Sequence, residues 1–299
     1  MSAKVILNPY SGRWQGGQRQ AEVEAALKAV GIDFDMDPTT GPGHASELAA
    51  QAVQDGFSPI LAAGGDGTVS EIINGLLESD PAGQVPFGLL PIGTANDLAD
   101  NLKWPKHLAE AARHIAAGHS RRMDVCEVNG RYFVNNAGLG LEPYVSTIQI
   151  RMTRLRGNLR YMVAALKGIM DNPQWEMDLE WDGGEYAGPV TLVSVGNGPR
   201  TGGIFFTVPH ADLFDGKLTF IHGHIPGRLG ILKAFPMIMK PQAGNISEHP
   251  AVHEIDTTWL RVRTRPTTPY HADGEVIGEA ENQFEFRIHP ARLPIITTN

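Results

Sequence analysis

The sequence predicts an α/β domain with a parallel sheet, followed by a mostly antiparallel β-sandwich domain. Residues 1–123 alternate short apolar runs with helix-patterned segments, which is typical of a parallel sheet covered by helices. From about residue 124 helical patterns become scarcer and hairpin signals take over. Asn129-Gly130 lies between two alternating runs, and Asp182-Gly183-Gly184 suggests a second pairing, of residues 176–181 with 190–195. A length of 299 residues also suits two domains better than one.

Four short apolar runs in the first domain are predicted strands, and each is followed by a loop that contains glycine. The runs cover residues 4–7, 32–36, 58–63 and 87–90. The helix predicted after the third run shows the spacing of one apolar face, from Val69 to Leu77. The carboxyl ends of parallel strands share one edge of a sheet, and open α/β sheets bind their ligands there. We therefore expect the four loops to form one site.

The loop after the third run reads Gly64-Gly65-Asp66-Gly67-Thr68 and is the most informative motif of the chain. Glycines permit a sharp turn and a close approach of the backbone to a ligand, and the following helix start directs N–H groups at an anion. Phosphate binding uses these features, although a plain strand-to-helix turn would use the same residues. Asp66 would repel a phosphate, so we expect a divalent cation between its carboxylate and the phosphates.

Composition excludes several other classes of protein. A net charge of −8 argues against a general nucleic-acid binder, and no apolar run approaches the 18 residues of a membrane-spanning helix. The chain passes from Met-Ser-Ala directly into the first predicted strand, so we expect no signal peptide. Cys126 is the only cysteine, which excludes an intrachain disulfide and fits a cytoplasmic protein. Binding to a membrane surface stays open, because local basic patches act despite an acidic total.

These motifs together resemble the diacylglycerol-kinase catalytic family. The resemblance is carried by Gly64–Thr68 with Glu71 and Asn74, and by the loop Pro91-Ile92-Gly93-Thr94-Ala95-Asn96-Asp97. Within the family the chain is most similar to soluble bacterial lipid kinases of the YegS type, which are relatives of sphingosine and ceramide kinases. NAD kinases share Gly-Gly-Asp-Gly but lack the second loop signature, so an NAD kinase is the second interpretation.

The resemblance extends along nearly the whole chain and implies both its domains and its reaction. It implies a Rossmann-like or phosphofructokinase-like nucleotide domain over residues 1–123, joined by the tail 290–299, and a β-sandwich lipid-substrate domain over residues 124–289. The implied reaction transfers the γ-phosphate of ATP, with Mg²⁺, to a hydroxyl of diacylglycerol, phosphatidylglycerol or a similar lipid in the cleft between the domains. The nucleotide-binding residues that it implies are Asn8, Ser11, Gly12, Thr39, Gly43, Gly64, Gly65, Asp66, Gly67, Thr68, Glu71, Gly93, Thr94 and Asn96.

Phosphoryl transfer needs bound phosphates, neutralised charge and an aligned, deprotonated acceptor. Asp66 and Asp97 are candidate ligands of the catalytic magnesium, although Asp97 near a helix start is also typical of a cap. Taken alone, Asp273-Gly274-Glu275 is more typical of a solvated hairpin turn. The resemblance instead implies that Glu275 is the general base, so Glu275, Asp66 and Asp97 are the predicted catalytic residues.

The resemblance also implies a second, structural magnesium site in the β-sandwich domain. It would be formed by the carboxylate of Asp215 and the backbone carbonyls of Asp212 and Lys217, since hard cations prefer oxygen ligands. An ordinary Asp-Gly turn at Asp215-Gly216 is an equally good interpretation of the residues alone. The eleven histidines show no spacing of zinc ligands.

Two amphipathic segments, residues 144–170 and 228–240, are candidates for contact with a membrane. Basic residues interleave with apolar ones in both, as in segments that lie on an anionic bilayer. The alternative is that their apolar sides pack on the β domain while the basic side chains reach water. The arginines of the first segment are Arg151, Arg154, Arg156 and Arg160.

We therefore expect a cytoplasmic, transiently membrane-associated lipid kinase that does not bind nucleic acid. An interpretation from a different class is a catalytically silent regulator that binds a nucleotide or a lipid, and the retained Asp66, Asp97 and Glu275 argue against it. The sequence leaves open which lipid alcohol is the acceptor and whether the protein forms a homodimer.

Overall fold

The computed structural model describes residues 2–152 and 157–298. The chain divides into two compact units. Unit 1 consists of Met1–Val125 with Pro290–Asn299, and unit 2 consists of Cys126–His289.

Unit 1 contains the predicted parallel sheet. Its strands are β1 (Ala3–Leu7), β2 (Phe34–Pro38), β3 (Ile60–Gly64) and β4 (Phe87–Pro91), in the order β2-β1-β3-β4. Every residue of β1, β3 and β4 is buried, as expected for strands that are covered on both faces. On the other edge of β4, Ile295 near the end of the chain pairs with Phe87 in parallel. The predicted fold class of this part is confirmed.

The helices of unit 1 follow the strands as the apolar spacing predicts. Their bounds are α1 (Ser11–Trp14), α2 (Gln20–Ala29), α3 (His44–Gln54), α4 (Asp66–Ser79), α5 (Asp97–Asn101) and α6 (Leu108–Ala117), with a 3₁₀ turn at Gly16–Arg19. In α4 the predicted apolar face from Val69 to Leu77 is buried. Its burial fixes the helix against the sheet, so the start of α4 is held at the end of β3.

Unit 2 is built around antiparallel strands. Its strands are β5 (Ser120–Val128, which begins in unit 1), β6 (Arg131–Phe133), β7 (Asn136–Gly140), β8 (Trp175–Trp181), β9 (Gly184–Val190), β10 (Leu192–Gly196), β11 (Leu218–Gly223), β12 (Val252–Thr257), β13 (Trp259–Ala272) and β14 (Glu275–Ile296, which ends in unit 1). The order β12-β11-β10-β7-β13-β14 is antiparallel throughout, and β8 with β9 continues from β13. The predicted change to an antiparallel β domain is confirmed.

The hairpin predictions in unit 2 have mixed outcomes. Asn129-Gly130 joins β5 and β6 with φ values of 47° and 86°, as an Asn-Gly turn requires. The predicted pairing of residues 176–181 with 190–195 is wrong, because β8 pairs with β9 and β10 pairs with β7 and β11. The Gly188-Pro189 pair in β9 is typical of a loop. Among the described strands β9 pairs only with β8, and a strand at an edge tolerates proline.

Three helices of unit 2 arise from the two amphipathic segments. They are α7 (Leu141–Arg151), α8 (Gly157–Asp171) and α9 (Gly227–Ala234), and 3₁₀ turns follow at Phe235–Met239 and Ile246–Glu248. Apolar residues of these helices, such as Val145, Ile169 and Ile231, belong to the buried core of the unit. Among the residues described, no helix is both long enough and apolar enough to cross a membrane.

Candidate active site

The ends of β3 and β4 approach each other so closely that only glycine fits. A Cβ atom on Gly93 would lie 2.3 Å from the Cα of Gly65, and one on Gly64 would lie 2.5 Å from the side chain of Thr68. The carbonyl of Gly64 accepts the N–H groups of both Ile92 (3.1 Å) and Gly93 (3.0 Å). The glycines that the sequence assigns to nucleotide binding thus also permit this close contact of two loops.

The first loop is tied to the glycine loop by side chains. Asn8 Nδ2 donates to Thr68 Oγ1 at 2.9 Å, while Asn8 Oδ1 accepts the N–H of Tyr10. Gly12 has a φ of 61°, and a Cβ there would lie 2.6 Å from the carbonyl oxygen of Ile92. Three of the four predicted loops are therefore in direct contact.

Asp66 connects the glycine loop to the loop before α5. Its Oδ2 accepts the N–H of Asn96 at 2.9 Å and its Oδ1 accepts the N–H of Asp97 at 2.6 Å. Asn96 has a left-handed backbone with a φ of 53°, and its side-chain amide makes two hydrogen bonds with the backbone of Gly93. The Asp66 carboxylate therefore holds the loop Pro91–Asp97 in place, a role that its sequence motif does not predict.

The environment of Asp66 affects its charge in two directions. Burial raises the pKa of the Asp66 carboxyl, and the backbone N–H donors of Asp97 and Asn96 oppose that rise without cancelling it. The backbone N–H groups of Asp66 itself and of Leu98 oppose the rise as well. Asp97 itself is buried, with 5% of its surface exposed, at the first position of α5.

The chemistry of these donors fits a magnesium ion that takes most of its ligands from elsewhere. The described residues contain no group of three or more His, Cys, Asp or Glu side chains able to hold a metal. Mg²⁺ in nucleotide sites uses one or two carboxylates together with substrate phosphates and water. Asp66 and Asp97 as magnesium ligands stay a prediction.

Glu71 holds the loop before α3. Its Oε1 accepts the N–H of Gly43 at 2.9 Å and its Oε2 accepts the N–H of Ala45 at 3.2 Å, so it caps a helix that lacks a side-chain cap of its own. Gly43 has a φ of 82°, which favours glycine. Thr39 at the start of this loop is buried, whereas Thr94 in the loop before α5 is exposed.

Glu275 lies directly after a tight turn in unit 2. Asp273 and Gly274 have φ values of 49° and 81°, and Ala272 pairs with Glu275 across the turn. The carboxylate of Asp273 accepts the N–H groups of Val134 (3.1 Å) and Asn135 (2.8 Å), which anchors the turn to the segment after β6. The predicted turn is confirmed. The Asp273 carboxylate is not solvated but holds the turn in position through these two hydrogen bonds.

Arg131 contacts the predicted base and was missed by the sequence analysis. Its Nη2 donates to Glu275 Oε2 at 2.9 Å, and both side chains are partly exposed. The two residues are 144 positions apart in sequence, and no local pattern signals such a pair.

The predicted second magnesium site is a sharply turned, acidic segment. Asp215 Oδ1 accepts the N–H of Lys217 at 2.9 Å, and Asp212 Oδ1 accepts the N–H of Phe214 at 2.9 Å. Desolvation and the nearby carboxylates of Asp212 and Asp256 raise the pKa of Asp215, although the N–H and charge of Lys217 oppose this. Excess negative charge fits a cation, and the site stays a prediction.

Unit 2 also contains an apolar cavity that the sequence analysis did not predict. The space in it that a water-sized molecule can occupy is about 70 Å³. The walls come from α7, α8, α9, β10, β11 and the two segments that contain Phe205 and Phe235. Three polar residues, Glu142, Thr191 and Thr207, interrupt an otherwise apolar lining. An apolar lining with few polar groups is typical of small-molecule sites.

The helices around the cavity expose apolar side chains on their outer faces. These are Ile150, Met162, Leu166, Met170, Leu229 and Leu232. Of the arginines predicted to face a membrane, Arg151 is 72% exposed at its side chain and pairs with Glu279. Arg154 and Arg156 lie outside the described residues. We refer to the outer faces of α8 and α9 below as the exposed apolar surface.

The comparisons with known families identify this two-unit protein as a lipid kinase. The family model of the diacylglycerol kinase catalytic domain matches residues 2–128, and that of the YegS C-terminal NAD kinase beta sandwich-like domain matches residues 135–297. The chain belongs to the diacylglycerol kinase family, and the resemblance predicted from its motifs is confirmed.

Curated relatives and solved structures agree with this assignment. The chain is 32% identical over 216 residues to a diacylglycerol kinase of Bacillus subtilis (strain 168), covering 72% of this chain and 71% of that protein. It is 27% identical over 283 residues to a diacylglycerol kinase of Staphylococcus saprophyticus, covering 94% and 91%. A crystal structure of a diacylglycerol kinase from Bacillus anthracis str. Sterne superposes with a TM-score of 0.76 at 22% identity, covering 99% and 97%. This last likeness concerns the fold alone.

Proposed function

We propose that the protein transfers the γ-phosphate of ATP to a hydroxyl group of a lipid. The observation that carries this proposal is the arrangement of four loops at the carboxyl ends of the unit 1 strands. Hydrogen bonds of Asn8, Asp66 and Glu71 hold these loops around the start of α4. Such an edge presents backbone N–H groups and a helix N-terminus, which is the chemistry that binds phosphates. The catalytic family model covers the same residues.

Unit 1 binds the triphosphate in this proposal. Gly65 at the N-cap of the 14-residue helix α4 provides no side-chain cap, so the positive end of the helix is directed at the phosphates. Asp66 and Asp97 would hold Mg²⁺, which when bound neutralises charge on the phosphates. Because Asp66 also organises the loop at Asn96, nucleotide binding and loop order are coupled through one carboxylate.

Glu275 is the general base in this proposal. The acceptor hydroxyl gives its proton to the Glu275 carboxylate, its oxygen forms a bond to the γ-phosphorus, and the bond from phosphorus to the β–γ bridging oxygen breaks to release ADP. Arg131 holds the carboxylate in one orientation through its 2.9 Å hydrogen bond. The location of this step in a cleft between the domains stays a prediction from the sequence.

Unit 2 binds the acceptor lipid, with an aliphatic chain in the apolar cavity. Burial of a chain there removes apolar surface from water, which is the main source of affinity for such a ligand. The exposed apolar surface and its neighbouring basic residue Lys233 would lie on an anionic bilayer while the lipid enters. In the cell this corresponds to a cytoplasmic protein that associates with the membrane transiently.

The test is phosphate transfer from radiolabelled ATP to vesicles made from a total lipid extract. We expect a labelled lipid that appears only with Mg²⁺ and is identified by mass spectrometry. Label transferred to NAD in the absence of lipid would establish an NAD kinase instead. ATP or lipid binding without transfer to any lipid would identify a silent regulator.

A further inference from the structure

A buried histidine and a partly buried acid form a pair at the wall of the apolar cavity. Glu142 lines the cavity, and His271 Nε2 lies 3.1 Å from Glu142 Oε1. His271 is 2% exposed. Within the described residues, neither ring nitrogen of His271 has a hydrogen-bond partner of good geometry, and the buried Oε2 of Glu142 has none. Buried polar atoms without partners are rare and costly, so each one needs an explanation.

The surroundings of the pair are polar but only loosely bonded to it. Asn136 Nδ2 lies 3.5 Å from Glu142 Oε1 and 3.4 Å from the hydroxyls of Ser194 and Thr207. A Cβ on Gly138 would lie 2.8 Å from Glu142 Oε2, so glycine leaves the room that the carboxylate occupies. These long contacts leave the Glu142 carboxylate able to accept a better donor.

The surroundings of Glu142 favour the ionised form of its carboxyl group. Burial raises its pKa, but the charge and contacts of His271 together with hydrogen bonds from Asn136 and Ser194 outweigh burial, and the pKa lies below its usual value. An ionised carboxylate is an acceptor only. A ligand group that meets it must therefore donate a hydrogen bond.

The pair is also connected to the proposed base through the sheet. His271 and Ala272 end β13, and Ala272 pairs with Glu275 across the turn. The N–H of Asp273 in that turn donates at 2.8 Å to the carbonyl of Asn136, whose side chain contacts Glu142. The polar end of the cavity therefore lies beside the strand end that carries Glu275.

We infer that Glu142, positioned by His271, selects a lipid acceptor that has a second hydrogen-bond donor, a hydroxyl or an ammonium group, beside the hydroxyl that is phosphorylated. This inference rests on the proposed function. A diacylglycerol uses its only hydroxyl as the acceptor and then presents ester oxygens, which accept hydrogen bonds and leave the carboxylate unpaired. A lipid with a vicinal hydroxyl pairs with it.

The direct test compares two lipids that differ only at this position. The probes are 1-oleoylglycerol, which has a free second hydroxyl, and 1-oleoyl-2-acetylglycerol, in which that hydroxyl is an ester. We expect kcat/KM to favour 1-oleoylglycerol by about 10- to 100-fold, the factor that corresponds to one unpaired buried group. Equal kcat/KM values for the two lipids would overturn the inference, because the Glu142 carboxylate would then bind only a water molecule.

A Glu142→Gln substitution tests the same residue from the protein side. The carboxamide can donate a hydrogen bond to an ester oxygen, so we expect the preference to fall at least about tenfold while the KM for ATP is unchanged. Glu180→Gln, at an exposed position on β8, is the control and should keep the wild-type preference. An unchanged preference in a folded Glu142→Gln variant would contradict the selection. If the variant does not fold, as judged by its thermal unfolding, the wild-type comparison decides.

Failure of the proposed function can be distinguished from failure of this inference. Binding of the two lipids is measured without ATP, by displacement of a polarity-sensitive alkyl probe from the wild-type protein. A preference for 1-oleoylglycerol in binding, with no phosphorylation of any lipid, would refute the kinase proposal and support the selection. Phosphorylation of both lipids without preference would refute the selection and support the kinase.

Discussion

The two units bind their proposed ligands with different parts of the chain. In unit 1 the site is made of backbone and short side chains, and its acids Asp66 and Glu71 bond to N–H groups of neighbouring loops. In unit 2 the cavity is made of apolar side chains from three helices and several strands, with a few polar groups such as Glu142. The difference follows from the ligands, because a phosphate needs N–H donors in one fixed array, whereas an aliphatic chain needs only volume.

The largest expected effect comes from the base in unit 2. Glu275→Gln keeps size and polarity but cannot take a proton, so kcat should fall about 10²- to 10⁴-fold while ATP binding is kept. Steady-state kinetics and equilibrium ATP binding measure the two effects. Glu279→Gln, at an exposed position on the same strand, is the control. Reduced ATP affinity with normal turnover at saturation would assign Glu275 to the nucleotide site instead.

A similar loss is expected from the acid that organises unit 1. In Asp66→Asn an amide NH₂ group replaces one carboxylate oxygen and faces a backbone N–H, to which it cannot act as an acceptor. One of the two hydrogen bonds to Asn96 and Asp97 is therefore lost, and their loop should loosen. We expect activity to fall by at least about a hundredfold and the amide protons of this loop to exchange faster. Asp55→Asn, at an exposed position after α3, should change neither. A folded Asp66→Asn variant with normal turnover would remove Asp66 from the chemistry.

Unit 2 should respond to acid through a buried histidine. Burial lowers the pKa of His222 to about 4, and the charge of nearby His253 adds to this. The unfolded chain binds a proton near pH 6.5 and the folded chain does not, so stability is lost as the pH falls from about 6.5 to 4.

The expected loss from His222 is about 3 kcal/mol in the free energy of unfolding. Denaturant unfolding at the two pH values measures it, and His222→Gln removes the titrating group. The wild type should lose about that much more stability than the variant on acidification. The same pH dependence in both proteins would show that His222 is protonated in the folded state.

The smallest expected effect tests the contact between two loops of unit 1. Gly93→Ala places a methyl group 2.3 Å from the Cα of Gly65, so the backbones must separate, at a cost of about 1–3 kcal/mol in stability. Gly41→Ala is the matched control, because nothing lies within 4 Å of its Cβ position. Thermal unfolding of both variants checks this, and equal midpoints would mean that the loops tolerate separation.

The sequence predicted those features that depend on local pattern. The four strands of unit 1, the buried face of α4 and the turns at Asn129-Gly130 and Asp273-Gly274 each have a signal within a few residues. β9 was missed because its Gly188-Pro189 pair is typical of a loop, although in the described part of the chain this segment is an edge strand paired with β8. Local propensity there was overridden by position in the sheet.

Features that depend on tertiary contact could not be predicted. Asp66 has its loop-organising contacts about 30 positions along the chain, and Arg131 meets Glu275 across 144 positions. The cavity depends on how three helices pack, which no periodicity specifies. Glu142 carries no signal of its own in the sequence, because only its position beside the buried His271 at the cavity wall distinguishes it from a surface acid.

Hydrogen exchange measured with each substrate separately tests most directly whether ATP binds to unit 1 and the lipid binds to unit 2. With ATP and Mg²⁺ we expect protection in unit 1 at residues 8–12, 39–45, 64–68 and 93–97. With 1-oleoylglycerol we expect protection in unit 2, at the start of α7 and along α9, which line the cavity. Protection by ATP at the cavity, or none at the glycine loops, would contradict the division.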